Sequence, residues 1–448
     1  MKKALATILA LVMAIGLCSI SWAANPASVS NAEELKTAIE TGGEITLDAD
    51  IEISETISVS KPVTINLNSK TITGKNGEYG RRVFNVVAGG SLTLTGSGTI
   101  TTANSNDATF LNSSSVIRVG DDTNGAACGL VVGKDVKIIA PASYGIAVFG
   151  KNTKQTLEVS GTVTAKEASA ISGNGGHSYT ETEITINDGA NITSENNVAV
   201  YHPQAGTLTV KAANITGSGG IEIKSGTANV NVAGANIKAT GDVSHGANNN
   251  GTSSRGYAIA VVENPGYIGA PSAVIQNGEF VGAMGILKDG EVSAEDKKGS
   301  LAISAGSFTV NVNDYVAENT PVASAVKEDG SITYVVGSKL IADAANSGDK
   351  VTITKGGAVS GIKEGVTIAV DKGVEGVIIN NVPVEAEQSY TVPTTSSGGY
   401  YYYQPTTDTK ADTTKGSPKT FDAGVGVYAV TAVLSVTGMA WTAKKRGN

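Results

Sequence analysis

The chain has 448 residues, 33 Lys and Arg against 41 Asp and Glu, and a formal charge of −8, which argues against nucleic acid or anionic lipid as a partner. With two cysteines it is no disulfide scaffold, and with 55 glycines and 17% charged residues it is poor material for long helices.

The N-terminus reads Met-Lys-Lys, then an uncharged run from Ala4 to Ile20 that closes in Ser21-Trp-Ala. Small residues before the Ala23–Ala24 bond predict a signal peptide over 1–23, cut there by signal peptidase. Leu17 stands where a lipoprotein needs a small residue before Cys18, so lipidation is not expected. Residues 24–91 read as an N-terminal cap and first coils. Ser30-Asn-Ala-Glu33 has the form of a capping box, and Leu35, Ala38 and Ile39 follow at helical spacing until Gly42-Gly43. Short strands around Glu44–Leu47, Ile51–Ile53, Ile57–Val59 and Val63–Leu67 come next.

Residues 92–336 carry the main signal. One phrase of alternating aliphatics, a small residue and a further aliphatic or Phe occurs eight times between 92 and 308. Its closing residues Ile100, Ile138, Val163, Ile192, Ile215, Ile237, Phe280 and Phe308 lie 38, 25, 29, 23, 22, 43 and 28 positions apart. Between them lie second strands such as Tyr144–Gly150, Asn197–Tyr201, Gly220–Lys224 and Tyr257–Val262. A unit this short buries its apolar side only by stacking on its neighbours. The expected fold is all-β, a right-handed parallel β-helix with two or three strands per turn. Leu92, Leu157, Ile184, Ile186, Leu208, Val210, Val230 and Ile303 are expected inside.

Residues 337–393 repeat the helix-then-strand device, with Leu340, Ile341, Ala344 and Ala345 before Ser347-Gly348, and read as a small α+β tail domain. Residues 394–416, rich in Thr, Ser, Gly and Tyr, read as a flexible spacer. In 417–448, Ser417-Pro-Lys-Thr-Phe421-Asp422 precedes 21 uncharged residues, Ala423–Ala443, and then Lys444-Lys-Arg446. A helix of that length spans about 30 Å, so 423–443 is an expected transmembrane segment held by its basic tail. Removal of 1–23 and 421–448 takes five cations and one Asp, leaving 28 basic and 40 acidic residues, a charge of −12. Cys128 then has no partner for an internal disulfide.

Two resemblances follow from these residues. Ile303–Phe308, Asp314-Tyr-Val-Ala317 and Glu328-Asp-Gly330 resemble the terminal coils of pectate-lyase-like surface proteins of Gram-positive bacteria, over roughly residues 30–336. The segment from Ser417 to the basic tail resembles a sortase sorting signal of the Leu-Pro-x-Thr-Gly class. Pro418 and Thr420 match it, whereas Ser417 and Phe421 depart from its Leu and Gly; Lys419 fills the variable place. The resemblance implies sortase as processing partner, peptidoglycan as anchor, and display at the cell wall of a Gram-positive bacterium. The alternative is a single-pass membrane protein with an extracellular body.

Aligning Ile117, Ile146, Ser169 and Val198 in one row gathers polar groups at a corner. It gives a candidate ligand groove of Arg118, Asp121, Asp122, Lys151, Asn152, Asn174, His177 and His202, in which Arg118, Asp121 and Asp122 are the candidate catalytic groups. Polygalacturonases, which share the fold, carry Asn-Thr-Asp, Asp-Asp, Gly-His-Gly and Arg-x-Lys. Here only Asp121-Asp122 is present, with Gly175-Gly-His177 as a loose echo. Arg118 beside Asp121 faintly echoes a pectate-lyase arginine base, and His177, His202 and His245 lack metal-ligand spacing. No cofactor or metal is implied. The expectation is an adhesin or carbohydrate-binding module for a polysaccharide or glycoprotein glycan. A polysaccharide lyase or glycoside hydrolase is the alternative, and a passive surface spacer the third.

Overall fold

The computed structural model describes residues 26–75, 82–103, 114–120, 125–149, 153–175, 182–230, 234–292 and 297–394. Among them the chain is a stack of parallel strands in which each coil gives one strand to each of three faces, the arrangement of a parallel β-helix. One coil shows the plan: Thr182–Ile186 on the first face, Asn191–Ser194 on the second, Val198–His202 on the third. The described strands on these faces number 11, 15 and 9.

Alternation along each strand converts directly into ladders across the stack. On the first face Leu92, Leu130, Leu157, Ile184 and Leu208 are register partners, as are Leu94, Val132, Val159, Ile186 and Val210. All eight residues expected inside are buried. On the second face the closing residues from Ile100 through Ile138, Val163, Ile192, Ile215 and Ile237 to Phe280 and Phe308 form one continuous ladder. The last two rings stack with centroids 4.9 Å apart and planes 8° from parallel. Gly278 and Gly306, each two residues before its Phe, share a φ of +141°. A Cβ at Gly278 would lie 2.6 Å from the Ala235 carbonyl oxygen, so the corner needs glycine. Outside the same face Asn191, Asn214 and Asn236 pass a side-chain hydrogen bond from coil to coil, at 3.1 and 3.0 Å.

Helix α1, Ala32–Thr41, places Leu35 and Ile39 over the first coil and ends at Gly42, φ +86°. Its N-cap is Asn31 rather than Ser30: the Asn31 side chain accepts from Glu34 N–H, and Glu34 reaches back to Ser30 N–H at 2.7 Å. The capping box is thus shifted by one residue, because Asn caps as well as Ser and Glu34 supplies the return bond that Glu33 was expected to make. At the far end, Ile332–Val336 pairs antiparallel with Gly306–Phe308, and Val322–Val326 pairs antiparallel with both Ile332–Val336 and Lys350–Lys355. The second face therefore continues into the tail. There, helix α2 (Ser338–Ser347) buries Ile341, Ala342 and Ala345 in a separate cluster with Val351, Ile353 and Ile368.

The third face requires a correction. Ile117 and Ile146 are partners as expected, but the row continues through Ile171, Val200, Ile221 and Ile259, not Ser169 and Val198. A slip of two residues keeps every side chain on its expected side of the sheet, so alternation alone does not detect it. No described helix is long and apolar enough to cross a membrane. The expected signal-peptide site Ala23–Ala24, the expected sorting residues Ser417–Phe421, the expected span 423–443 and residues 395–416 of the expected spacer lie outside the described residues.

Candidate functional site

The corrected third-face register gives an outward row of Arg118, Ala147, Ser172, Tyr201, Glu222 and Ala260. Ser172 enters beside Tyr201 because the neighbouring pair is Ile171 and Val200. Most of this row is not solvent-facing: Ala147, Ser172, Tyr201, Glu222 and Ala260 are all buried. The strands Val198–His202 and Gly219–Ile223 are buried at every position, inside and outside alike.

The cover comes from the longest insertion in the repeat, between Ile237 and Phe280. It forms a small antiparallel hairpin, pairing Ser244 with Arg255 and His245 with Ser254. Both Ser253 and Ser254 bring backbone N–H and hydroxyl to the Glu222 carboxylate, with donor–acceptor distances of 2.5 to 3.2 Å. Lys224, the residue just after that strand, turns to the same side. Its Nζ bonds the Asn248 carbonyl at 2.8 Å and the Asp289 carboxylate, and lies 3.5 Å from Glu222 Oε1. All three charged side chains are fully buried. Asp289 also accepts from Asn264 Nδ2 at 3.0 Å and meets His245 Nε2 at 3.0 Å. Burial pushes the Asp289 carboxyl upward, but the Lys224 hydrogen bond and charge, then His245 and Asn264, outweigh it and hold it below its ordinary range.

Aromatic rings close the chamber. Tyr201 and Tyr267 share a hydroxyl–hydroxyl hydrogen bond of 3.0 Å, and each ring centroid is 5.9 Å from Lys224 Nζ. Burial, then the Tyr267 phenol, raise the Tyr201 hydroxyl well above its usual pKa, and the same causes raise Tyr144. Gly175 makes room for Tyr267: a Cβ there would be 2.2 Å from its ring. Because the charged groups are sealed, this cluster does not receive a sugar from solvent.

What is open lies beside it. Where the hairpin leaves the corner between second and third faces, a polar cleft of about 290 Å³ is lined by Asn196, Asn197, Ser218, Ser244, Thr252 and Arg255, among others. Arg255 is exposed, with its guanidinium 3.5 Å from the Asn196 carbonyl. The cleft presents amides, hydroxyls and one cation on a backbone fixed by the buried network.

The groove expected from sequence fares differently residue by residue. Asp121, Asp122, Lys151, Asn152 and His177 lie outside the described residues. Arg118 is half-buried with its guanidinium stacked 4.4 Å above the Phe149 ring, and Asn174 is half-buried. His202 does not line a corner. It points inward as the register partner of Ile223 and is fully buried, since Val198, Val200 and His202 alternate inward. Burial pushes its pKa down to about 4, and the Gly206 backbone, approaching without a well-formed hydrogen bond, offsets only part of this.

That depression makes a pH prediction. Below about pH 6.5 the unfolded chain binds a proton at His202 that the folded chain refuses. Stability is therefore full above pH 6.5, falls by about 3 kcal/mol as pH drops toward 4, and then levels. His202→Leu, matching its aliphatic row, should remove this component; urea midpoints of wild type and variant at pH 7.5 and 4.5 measure it. An unchanged difference between the two pH values would show that His202 does not titrate as stated.

Among the described residues no three His, Cys, Asp or Glu come together as a metal-binding group. The Glu222–Lys224–Asp289 chamber was missed from sequence, although the 43-residue gap between Ile237 and Phe280 marked the insertion that builds it. Compared with protein-family models, curated proteins and solved structures, the chain matches none at a significant level.

Proposed function

We propose that this chain is a surface-displayed β-helix that binds glycan in the cleft between the hairpin and the corner at Asn196, Asn197 and Ser218. The coil is right-handed in this reading, as parallel crossover connections are. The observation that carries it is the lining: amide, hydroxyl and guanidinium groups exchange hydrogen bonds with sugar hydroxyls, and a rigid scaffold reduces the ordering cost of binding. The −12 charge of the body between 24 and 420 favours a neutral or weakly charged saccharide over a polyanion. Glu222 and Asp289 are sealed beneath the cover, and the more open Glu167 carboxylate beside the cleft is engaged by Asn196 Nδ2 at 3.0 Å; this favours binding over hydrolysis, which needs two carboxyl groups facing the glycosidic bond. Display rests on Ser417–Asp422 followed by the apolar run and basic tail, with sortase joining Thr420 to peptidoglycan.

One set of preparations tests both parts. The body, residues 24–416, is read on a glycan array beside reducing-end and ultraviolet-unsaturation assays, and Arg255→Ala is expected to weaken the best ligand about tenfold. On cells, Thr420→Ala should move the protein from the wall fraction to the membrane fraction. A folded body that retains no glycan would sink the binding reading and leave a spacer; sugar cleavage would replace it with an enzyme. Wild type found wholly in the membrane fraction would overturn wall anchoring.

A further inference from the structure

The ion pairs outside the chamber, such as Lys75–Glu52, Lys154–Glu183 and Lys339–Asp343, join largely solvent-exposed side chains. Lys224 and Asp289 are different in kind, being hydrogen-bonded to each other with both side chains wholly shielded from water. They sit 65 positions apart in the chain, on either side of the coil that contains Tyr257–Glu263. A second carboxylate, Glu222, is 3.5 Å from the Lys224 nitrogen, and two tyrosine rings flank that nitrogen. An amine and a carboxyl group in contact, with a third group able to carry a proton and no bulk water, are the reactants and base for amide condensation.

We propose that Lys224 and Asp289 join covalently through an amide bond between Lys224 Nζ and Asp289 Cγ, with Glu222 as proton carrier. The reaction starts from the ion pair. One proton passes from Nζ to Asp289 Oδ2 along their hydrogen bond, giving neutral amine and neutral acid at unchanged net charge. The nitrogen lone pair then attacks Cγ, and negative charge develops on Oδ1. His245 Nε2, 3.0 Å from Oδ1 and in its N–H donor tautomer, stabilises that charge. Glu222 takes a second proton from the nitrogen and delivers it to Oδ2; the Cγ–Oδ2 bond breaks and Oδ2 leaves as water. Nitrogen has lost two protons, water has gained both, and Glu222 is again a carboxylate. No oxidant, cofactor or activated donor enters the balance.

Three features of the site favour the product. Holding the reactants in contact gives effective concentrations of about 10⁵–10⁸ M for well-oriented groups. Conversion of a buried ion pair to a neutral amide removes two charges from a low-dielectric site. Exclusion of water suppresses the reverse hydrolysis. The new bond would lock Asp289 to the strand end at Lys224, with the hairpin and the Asn264–Tyr267 segment lying in the loop it closes.

The test is intact mass and a peptide map of the full exported chain, whose N-terminus is first established. Wild type is expected 18 Da below the mass of its sequence. Trypsin should leave Lys224 uncut within a branched peptide that also contains Asp289. Lys224→Met should have its full sequence mass. Glu222→Gln, nearly the same in shape, should also have its full mass while keeping the wild-type circular-dichroism spectrum. A wild-type chain at full mass, with Lys224 cleaved by trypsin and labelled by an amine reagent after denaturation, overturns the proposal whatever the variants do. A loss of 18 Da mapped to any other residue overturns it equally.

Discussion

Replacing Ile186 by Asp is expected to unfold several neighbouring coils together, whereas Thr185→Asp, one residue away, should cost at most about 1.5 kcal/mol. Ile186 is fully buried between Val159 and Val210 in the first-face ladder. Its loss removes the transfer energy of a buried aliphatic and leaves a cavity, about 2–5 kcal/mol for truncation alone. The new carboxylate adds the cost of an unpartnered charge among aliphatics, several kcal/mol more unless it takes up a proton. Neighbouring rungs share one core, so the damage does not stay within a coil. Thr185 faces outward, half-buried, and its register partner Glu158 adds a like-charge contact worth a few tenths of a kcal/mol. Circular-dichroism melting of both variants decides the matter: equal losses would refute the assignment of Ile186 inward and Thr185 outward, and a larger loss for Thr185→Asp would mean that the two sides are reversed.

The ladders were legible because the aliphatic and outward positions alternate with little exception on the first two faces. A phrase such as Leu208-Thr-Val210 has one low-energy orientation, and its copies stack in register. The third face was less legible. Its outward side is covered, so small and apolar residues occupy both sides, as in Val198-Ala-Val-Tyr201, and a two-residue slip costs the pattern nothing. The same slip carries His202 from its inward place opposite Ile223 to the corner, where a histidine would face solvent. Glu222-x-Lys224 was visible as a same-side charged pair, but its meaning depends on Asp289, Ser253 and Ser254. These come from an insertion and a later coil, and no local periodicity places them over that strand. At the N-terminus the helix was readable to within one residue. The choice between Ser30 and Asn31 as cap was decided by which glutamate reached back.

Glu222→Leu is expected to release the hairpin from the third face at a cost of about 3–5 kcal/mol, the range for breaking a buried charged cluster by removing one partner. Leucine fits the covered surface but accepts no hydrogen bond. Two backbone N–H groups and two hydroxyls, from Ser253 and Ser254, would then be buried without the carboxylate that receives them. Lys224 would lose its second carboxylate neighbour while keeping Asp289 and the Asn248 carbonyl. The ladders beneath do not depend on those bonds, so opening is cheaper locally than globally, and the hairpin should detach before any coil melts. Trypsin reads this directly at Arg255. In wild type the following Gly256 is buried at φ +72° with its N–H bonded to the Ser218 carbonyl at 2.8 Å, a backbone that cannot enter a protease cleft. The variant should be cut after Arg255 at least tenfold faster than wild type under native conditions, with the far-ultraviolet spectrum of the β-helix retained. Equal cutting rates would mean that the hairpin is held by other contacts and that Glu222 is dispensable to the cover.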